Sequence, residues 1–345
     1  MCSFPKRDNA AFKKAHWFQR ELGLPRGRLN VWVQWTRRTS SSALVLTILC
    51  ALLTAPAVAQ VRAEYSPVST LANAGTVPDP GFSYSNQIWY NSSDRLYGPR
   101  GKLIPFHGAL SVTTDNNTVV YVPKFQFLHA KLEFLLDIAI SNGRFDARDP
   151  LDGDHVIRGA VGISNTNFVP FDLGWNLKWL DLQTGISVYA PTGRYVPHAS
   201  DNLSSGFWTA GVQSGATIYL SQSKLTQASI YTYYGWNRLQ QGTGIHPGAN
   251  ASVDYALSHT FPLTSDGKWS LLVGPAGYGQ WQTTNKGGVG KVNARLLYGV
   301  DGVGFTTNLT SPYKGLFVGM SALFEYDARS TYEGRTNVIT AGLNF

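Results

Sequence analysis

The stretch PHASDN brings together the three residue types of nucleophilic catalysis, because His198, Ser200 and Asp201 lie within four positions of one another. A hydroxyl, an imidazole and a carboxylate perform acyl transfer only when each is held within hydrogen-bond reach of the next. Close neighbours in a loop rarely reach that geometry, and the G-x-S-x-G elbow does not occur in the chain. We therefore predict a protein that is not an enzyme, with an outer-membrane enzyme carrying a rim active site as the alternative.

Other stretches resemble ligand sites only in part. NKGGVGKV (Asn285–Val292) imitates the end of a phosphate-binding loop but has Asn285 where a glycine is needed and Val292 where a hydroxyl is needed. RFDARDPLDGD (Arg144–Asp154) offers carboxylates to a divalent cation, although a solvated turn explains it equally simply. The histidines after residue 60 show no metal-ligand spacing, and both cysteines precede residue 60. We predict no metal and no cofactor.

The strongest candidates for a functional lining lie in HAKLEFLLDIAIS. Ala130, Leu132 and the following even positions are apolar, whereas Lys131, Glu133 and Asp137 stand on the opposite face. Arg295 and Glu325 occupy matching polar positions in two later stretches. These five residues are predicted to line a lumen, either as a charged constriction of a pore or as a ladder of charges that neutralise one another.

The elements that carry these residues alternate with a period of two, which indicates β-strands. Strands of roughly ten residues with one apolar and one polar face are typical of an antiparallel barrel that spans the outer membrane. We therefore predict an all-β, transmembrane antiparallel outer-membrane β-barrel of about 14 strands, with 12 as the alternative. In this prediction 105–114 and 117–126 are separate strands, as are 155–164 and 168–177, and Arg144–Asp154 faces the periplasm.

The N-terminal part reads as an export signal. Arg37 and Arg38 precede the apolar run Ala43–Leu53, and Ala57 and Ala59 follow in an A-x-A arrangement. Nine of the 29 basic residues but only two of the 21 acidic ones precede residue 60. The remaining chain has 20 basic and 19 acidic residues, so its charge gives no reason to expect binding to nucleic acid. We expect an N-terminal extension plus cleaved signal peptide over 1–59, a periplasmic tail or short plug over 60–80, and the barrel over 81–345.

The last strand resembles the assembly signal of outer-membrane barrels. NVITAGLNF ends in an aromatic residue and places Ile339, Leu343 and Phe345 on one face. We expect these residues to engage the barrel-assembly machinery, and outer-membrane lipids to be partners of the apolar face.

The segment from Leu173 to Thr209 resembles a known family. Its pieces APTGRY and NLSSGFWT, with DPGFSYSNQIWY (Asp79–Tyr90) earlier in the chain, are similar to outer-membrane proteins associated with the meta pathway of phenol degradation. The resemblance implies a barrel in the outer membrane of a Gram-negative bacterium that passively takes up small hydrophobic or aromatic compounds. A general-diffusion or structural barrel without substrate preference is a further alternative. The family motif is predicted to form a rim loop through Tyr189, Pro191, Thr192, Gly193, Arg194 and Tyr195.

Overall fold

A computed structural model describes residues 63–105, 108–149, 153–197, 199, 201–288 and 296–345, with the backbone alone over 145–158. Every described residue belongs to the unit Gln60–Phe345. The predicted export signal and the predicted lumen residue Arg295 lie outside the described residues.

The described chain forms strands joined by turns and loops. The sixteen strands are β1 (Gly81–Tyr97), β2 (Leu103–Ile104), β3 (Gly108–Val122), β4 (Gln126–Phe127), β5 (Ala130–Asp149), β6 (Gly153–Asn176), β7 (Leu180–Ala190), β8 (Thr209–Tyr219), β9 (Thr226–Asn237), β10 (Ile245–His246), β11 (Asn250–Pro262), β12 (Ser270–Gln282), β13 (Gly287–Gly288), β14 (Gly299–Thr310), β15 (Phe317–Arg329) and β16 (Thr331–Asn344). Among these residues no helix is long and apolar enough to cross a membrane.

Fourteen of the strands belong to one antiparallel sheet, and twelve of those close into a barrel. Each long strand pairs with the next long strand in the chain, and β16 returns to β1 with Ser83 opposite Asn344 and Tyr97 opposite Thr331. The short strands β2 and β4 pair with β1 and β5, while β10 and β13 form a small separate sheet. The predicted all-β antiparallel barrel is confirmed, with 12 strands in the closed wall and two short strands outside it.

Two predicted boundaries were wrong, because β3 and β6 each run through a stretch that reads as a turn. In β3 the polar run around Asp115 stays in register with β1, and Asn86 and Tyr84 donate hydrogen bonds to Asp115 and Asn117. Cross-strand pairing satisfies these turn-forming side chains, so the strand continues. Because β3 replaces two predicted strands, β5 runs in the opposite direction to the one predicted. The β5–β6 connection is therefore at the same end of the barrel as 191–208, rather than at the periplasmic end.

Side chains alternate between the two surfaces of the wall as a membrane barrel requires. In β5 Leu136, Ile138 and Ile140 are exposed on the outer surface, as the sequence pattern predicts. In β11 the alternate positions Ser252, Asp254 and Ser258 are buried on the inner surface. The wall is therefore apolar on its outer surface and largely polar on its inner surface, where Trp89, Leu323 and Val338 form part of an apolar patch.

Aromatic side chains mark the end of the barrel that carries the short turns. The exposed aromatic residues at or beside these turns are Phe125, Phe127, Trp179, Trp269 and Tyr313, and the last residue of the chain, Phe345, is exposed at the same end. Aromatic rings of this kind collect at the interface between lipid and water. The loops 191–208 and 238–249 lie at the opposite end.

Candidate functional site in the barrel lumen

The interior of the barrel holds the chain segment 63–80, which we call the luminal segment. Every third residue in its middle part is apolar and almost fully buried: Tyr65, Val68, Leu71, Ala74 and Val77. Val68 and Leu71 belong to a cluster that includes Trp89 and Tyr278 of the wall. The segment therefore forms the apolar core of the lumen against a largely polar wall.

Asp254 on β11 anchors the first half of the luminal segment. Its Oδ2 accepts hydrogen bonds from the Tyr65 hydroxyl at 2.7 Å and from the Val68 backbone N–H at 2.8 Å. Gln280 on β12 donates to the Tyr65 carbonyl at 2.8 Å, and Gln87 on β1 donates to the Ser69 carbonyl at 3.2 Å. This half is thus tied to three wall strands.

The second half is anchored on the opposite part of the wall. The Gly75 N–H donates to Thr217 Oγ1 on β8, and the Thr76 hydroxyl donates to Asp181 Oδ2 on β7, both at 3.0 Å. Lys131 Nζ on β5 donates to Asp79 Oδ1 at 2.9 Å and to the Pro78 carbonyl at 3.2 Å. Because its anchors lie on strands far apart around the barrel, the segment crosses the lumen.

Two wall glycines make room for this close approach. A Cβ at Gly215 would lie 1.7 Å from the Ala74 carbonyl oxygen, and a Cβ at Gly174 would lie 2.3 Å from Val77 Cγ2. Any side chain at these positions would occupy the space of the luminal segment. The wall and the segment are therefore fitted to each other at these points.

Four of the five predicted lumen residues lie on the inner surface, and the fifth, Arg295, is not described. Lys131 binds the luminal segment, and Glu133 is buried. Asp137 accepts a hydrogen bond from Thr118 at 3.0 Å. Glu325 accepts hydrogen bonds from the Tyr278 hydroxyl at 2.6 Å and from a backbone N–H of β16. The structure distributes them over β5 and β15, and their role as a constriction stays a prediction.

The rim loop 191–208 is held by its own side chains. Arg194 pairs with Asp201 at 2.7 Å, and this hydrogen bond holds the pKa of the Asp201 carboxyl below its usual range. Asn202 bonds both the N–H and the carbonyl of Val196. Of the predicted catalytic candidates, His198 and Ser200 lie outside the described residues, and Asp201 is engaged by Arg194.

The first residues of the family motif attach the loop to the middle of β6. Thr192 Oγ1 lies 2.9 Å from the Ser164 carbonyl and 2.8 Å from the Thr166 hydroxyl. Pro191 follows the last residue of β7, and Gly193 is needed because a Cβ there would lie 2.4 Å from the Ile163 carbonyl. These contacts make Thr192 and Gly193 part of the architecture of the rim.

The far side of the loop turns inward and meets the luminal segment, both directly through the hydrogen bond between Ser205 and Glu64 and through the wall residue Asn165. Asn165 Nδ2 donates to Glu64 and, at 2.9 Å, to Ser205 Oγ, while Asn165 Oδ1 accepts from Ser204 Oγ at 2.6 Å. Tyr195 packs against Gly206, where a Cβ would lie 2.5 Å from its ring. Loop, wall and segment are thus connected at Asn165.

A cluster of four tyrosines lies at the start of the luminal segment, toward the end of the barrel that carries the rim loop. The ring of Tyr65 stacks on Tyr233 with centroids 5.1 Å apart and on Tyr231 with centroids 5.6 Å apart. Tyr189 meets Tyr233 edge to face at 6.1 Å. Tyr189, predicted for the rim, therefore faces the lumen at the end of β7.

Sequence reasoning missed Tyr231, Tyr233 and Asp254, although a signal for them exists. In ASIYTYYGW and ASVDYALS the alternate positions carry Ser, Tyr and Asp, and these positions face inward. The spacing of three in the luminal segment was missed as well.

The predicted assembly residues Ile339, Leu343 and Phe345 lie along the last strand, next to the closing seam. Ile339 is exposed on the outer surface, and Leu343 is partly exposed. The Phe345 N–H donates to the Phe82 carbonyl at 2.7 Å, which fixes the end of the chain to β1. Their role in assembly stays a prediction.

Comparison with known proteins places this fold among outer-membrane barrels. The sequence model of the family described as "Putative MetA-pathway of phenol degradation" matches residues 93–340. The COG4313 outer membrane channel from Pseudomonas putida F1 superposes with a TM-score of 0.62 at 13% identity, covering 82% of this chain and 100% of that one. The β domain of the Bordetella autotransporter Brka gives a TM-score of 0.40 at 10% identity, over 77% of this chain and 100% of that one. No curated protein matches this sequence.

Proposed function

The chain belongs to this phenol-degradation family, and from that premise we propose that it is an outer-membrane channel for small hydrophobic or aromatic solutes, which cross the barrel passively. The observation that carries the proposal is the tyrosine cluster inside a polar wall, formed where Tyr65 of the luminal segment meets Tyr231 and Tyr233. Binding sites for small aromatic solutes are built from apolar and aromatic side chains with a few polar groups that fix orientation.

The number of strands supports the same function. Barrels of eight strands are filled by their own side chains, whereas porins of 16 to 18 strands leave an aqueous channel. A barrel wall of twelve strands lies between these limits, and here the luminal segment takes up part of the interior. Such a lumen suits a small solute better than free diffusion of polar nutrients.

The location and the assembly route form part of the proposal. We expect the protein in the outer membrane of a Gram-negative bacterium, exported by a signal peptide cleaved near Ala59. Its outer surface carries the apolar band and aromatic side chains that such a membrane requires. Recognition by the barrel-assembly machinery would use the strand that ends in Phe345.

Uptake at low solute concentration tests the proposal. Cells that lack the protein but keep a general porin are expected to take up labelled phenol or toluene several-fold more slowly than the parent. Purified protein in planar bilayers should show a conductance that aromatic solutes reduce. The proposal is wrong if uptake of a panel of aromatic compounds is unchanged and the compounds do not alter the conductance. That result would indicate a general-diffusion barrel instead.

A further inference from the structure

We infer that the place on the barrel wall occupied by the Tyr65 ring is a binding site for a phenolic solute. In the structure the Tyr65 side chain fills this site and mimics the solute. This inference rests on the proposed function and deepens it. The side chain of tyrosine is 4-methylphenol attached to the backbone, so the contacts of Tyr65 describe a phenol bound to the wall.

The ring contacts come from two neighbouring residues of one strand face. Tyr231 and Tyr233 of β9 stack on Tyr65 with interplanar angles of 22° and 15°, and Tyr65 is only 5% exposed. Aromatic pairs with centroids between about 4.5 and 7 Å gain energy beyond the area that they bury. A free benzene ring in the same place would make the same contacts.

The hydroxyl contact comes from the adjacent strand. Tyr65 Oη donates to Asp254 Oδ2 at 2.7 Å, and Asp254 is fully buried on β11. Asp254 stands directly opposite Tyr231, and Ser252 stands directly opposite Tyr233, in the β9–β11 pairing. Ring contacts and acceptor are therefore fixed to each other by the sheet, and they stay in place when the luminal segment moves.

This arrangement selects for a ring that carries a hydroxyl donor. Toluene would reproduce the stacking but leave the buried carboxylate of Asp254 without the donor that Tyr65 now supplies, which costs more than the missing bond alone. Benzoate would place a carboxylate, which has no donor to offer, against the oxygens of Asp254. Phenol and 4-methylphenol satisfy both the stacking and the hydrogen bond.

Full-length purified protein provides the test, with 4-methylphenol and toluene as probes and calorimetric titration as the measurement. Tyr65→Ala should bind 4-methylphenol at least tenfold more tightly than wild type, because the side chain that occupies the site has been removed. Tyr65→Phe keeps the ring and loses the hydroxyl, so its affinity should fall between the two. In Tyr65→Ala, toluene should bind about tenfold more weakly than 4-methylphenol, the loss expected when a buried hydrogen-bond acceptor is left without its donor.

Two further variants separate this site from general effects. Tyr255 is a tyrosine next to Asp254 on the outer surface, and Tyr255→Ala should bind 4-methylphenol as wild type does. In Tyr65→Ala combined with Asp254→Leu, the preference for 4-methylphenol over toluene should disappear. Thr76→Val loosens the other half of the luminal segment. A gain in Thr76→Val equal to that in Tyr65→Ala, or no gain in a folded Tyr65→Ala, overturns the inference.

The binding test and the uptake test fail separately. Uptake that depends on the protein, together with no tighter binding to Tyr65→Ala, leaves the proposed function standing and removes the phenol site. Tight binding to Tyr65→Ala with uptake that is independent of the protein supports the site and refutes the channel.

Discussion

Replacement of Gly215 by alanine should open the lumen without altering the barrel wall. The added Cβ would lie 1.7 Å from the Ala74 carbonyl oxygen, whereas real Cβ atoms essentially never approach within 3.0 Å. Because Gly215 lies in a wall strand paired on both sides, the luminal segment has to move, and by at least 1.3 Å, the difference between these two distances.

A shift of this size breaks the neighbouring anchors. The bonds from the Gly75 N–H to Thr217 and from the Thr76 hydroxyl to Asp181 are each 3.0 Å long, so neither survives the movement. A neutral hydrogen bond contributes about 0.5 to 1.5 kcal/mol, and one to a charged group about 1.5 to 3 kcal/mol. Their combined loss of about 2 to 4.5 kcal/mol corresponds to a roughly 30- to 2,000-fold rise in the population with this half of the segment detached.

Single-channel recording in planar bilayers measures this effect. Gly215→Ala should show a larger open probability or a larger unit conductance than wild type. Gly143→Ala is the matched control, because a Cβ at Gly143 meets nothing nearer than 3.9 Å. Both variants should keep the altered mobility on heating that marks a folded barrel. Identical conductance in wild type, Gly215→Ala and the control would refute the idea that the luminal segment, packed against the wall at Gly215, restricts conduction through the lumen.

Three further perturbations have defined outcomes. Asn165→Ala removes the side chain that bonds both the rim loop and the luminal segment, so hydrogen exchange should rise at Glu64 and Ser205 together, and a rise at one alone would show that they are not linked. The Asp201 carboxyl has a lowered pKa, so its pairing with Arg194 is fully present above the ordinary carboxyl pKa of about 3.9 and is lost as the pH falls through the lowered value. Limited proteolysis of the rim loop should therefore be constant from neutral pH down to about pH 4 and increase only below it, and Asp201→Asn should be cleaved equally at all these values. Phe345→Ser should reduce the heat-modifiable fraction in outer-membrane preparations, and an unchanged fraction would refute an assembly role.

The wall was predictable where one face of a strand meets lipid, because lipid tolerates only apolar side chains and the alternation in β5 is therefore regular. It was less predictable in β3 and β6, where Asp, Asn and Thr read as turn formers. In the barrel these side chains are satisfied by bonds across the strands, such as those from Asn86 to Asp115 and from Thr118 to Asp137. Local sequence does not contain the neighbouring strand, so it cannot show that such partners exist.

The luminal segment was harder to interpret for a related reason. Its apolar residues recur every third position, a spacing typical of neither strand nor helix. Val68 and Leu71 are buried in one cluster with the wall, and Tyr65 and Ala74 are buried in another. Only a closed barrel brings β1, β7, β9 and β11 around one short stretch of chain. The role of Gly215 was invisible for the same reason, since its partner Ala74 lies about 140 positions earlier.

The strand number and the luminal segment follow from one physical requirement. A wall of twelve strands at a spacing of about 4.8 Å, tilted by about 40°, has a backbone radius of roughly 12 Å, more than inward side chains alone can fill. Filling that space with larger wall side chains would be permanent, whereas a segment held by separate hydrogen bonds to Asp254, Thr217 and Asp181 can leave one anchor at a time. A solute that replaces a single one of these contacts, as a phenol would replace Tyr65 at Asp254, therefore needs to displace only part of the segment in order to enter.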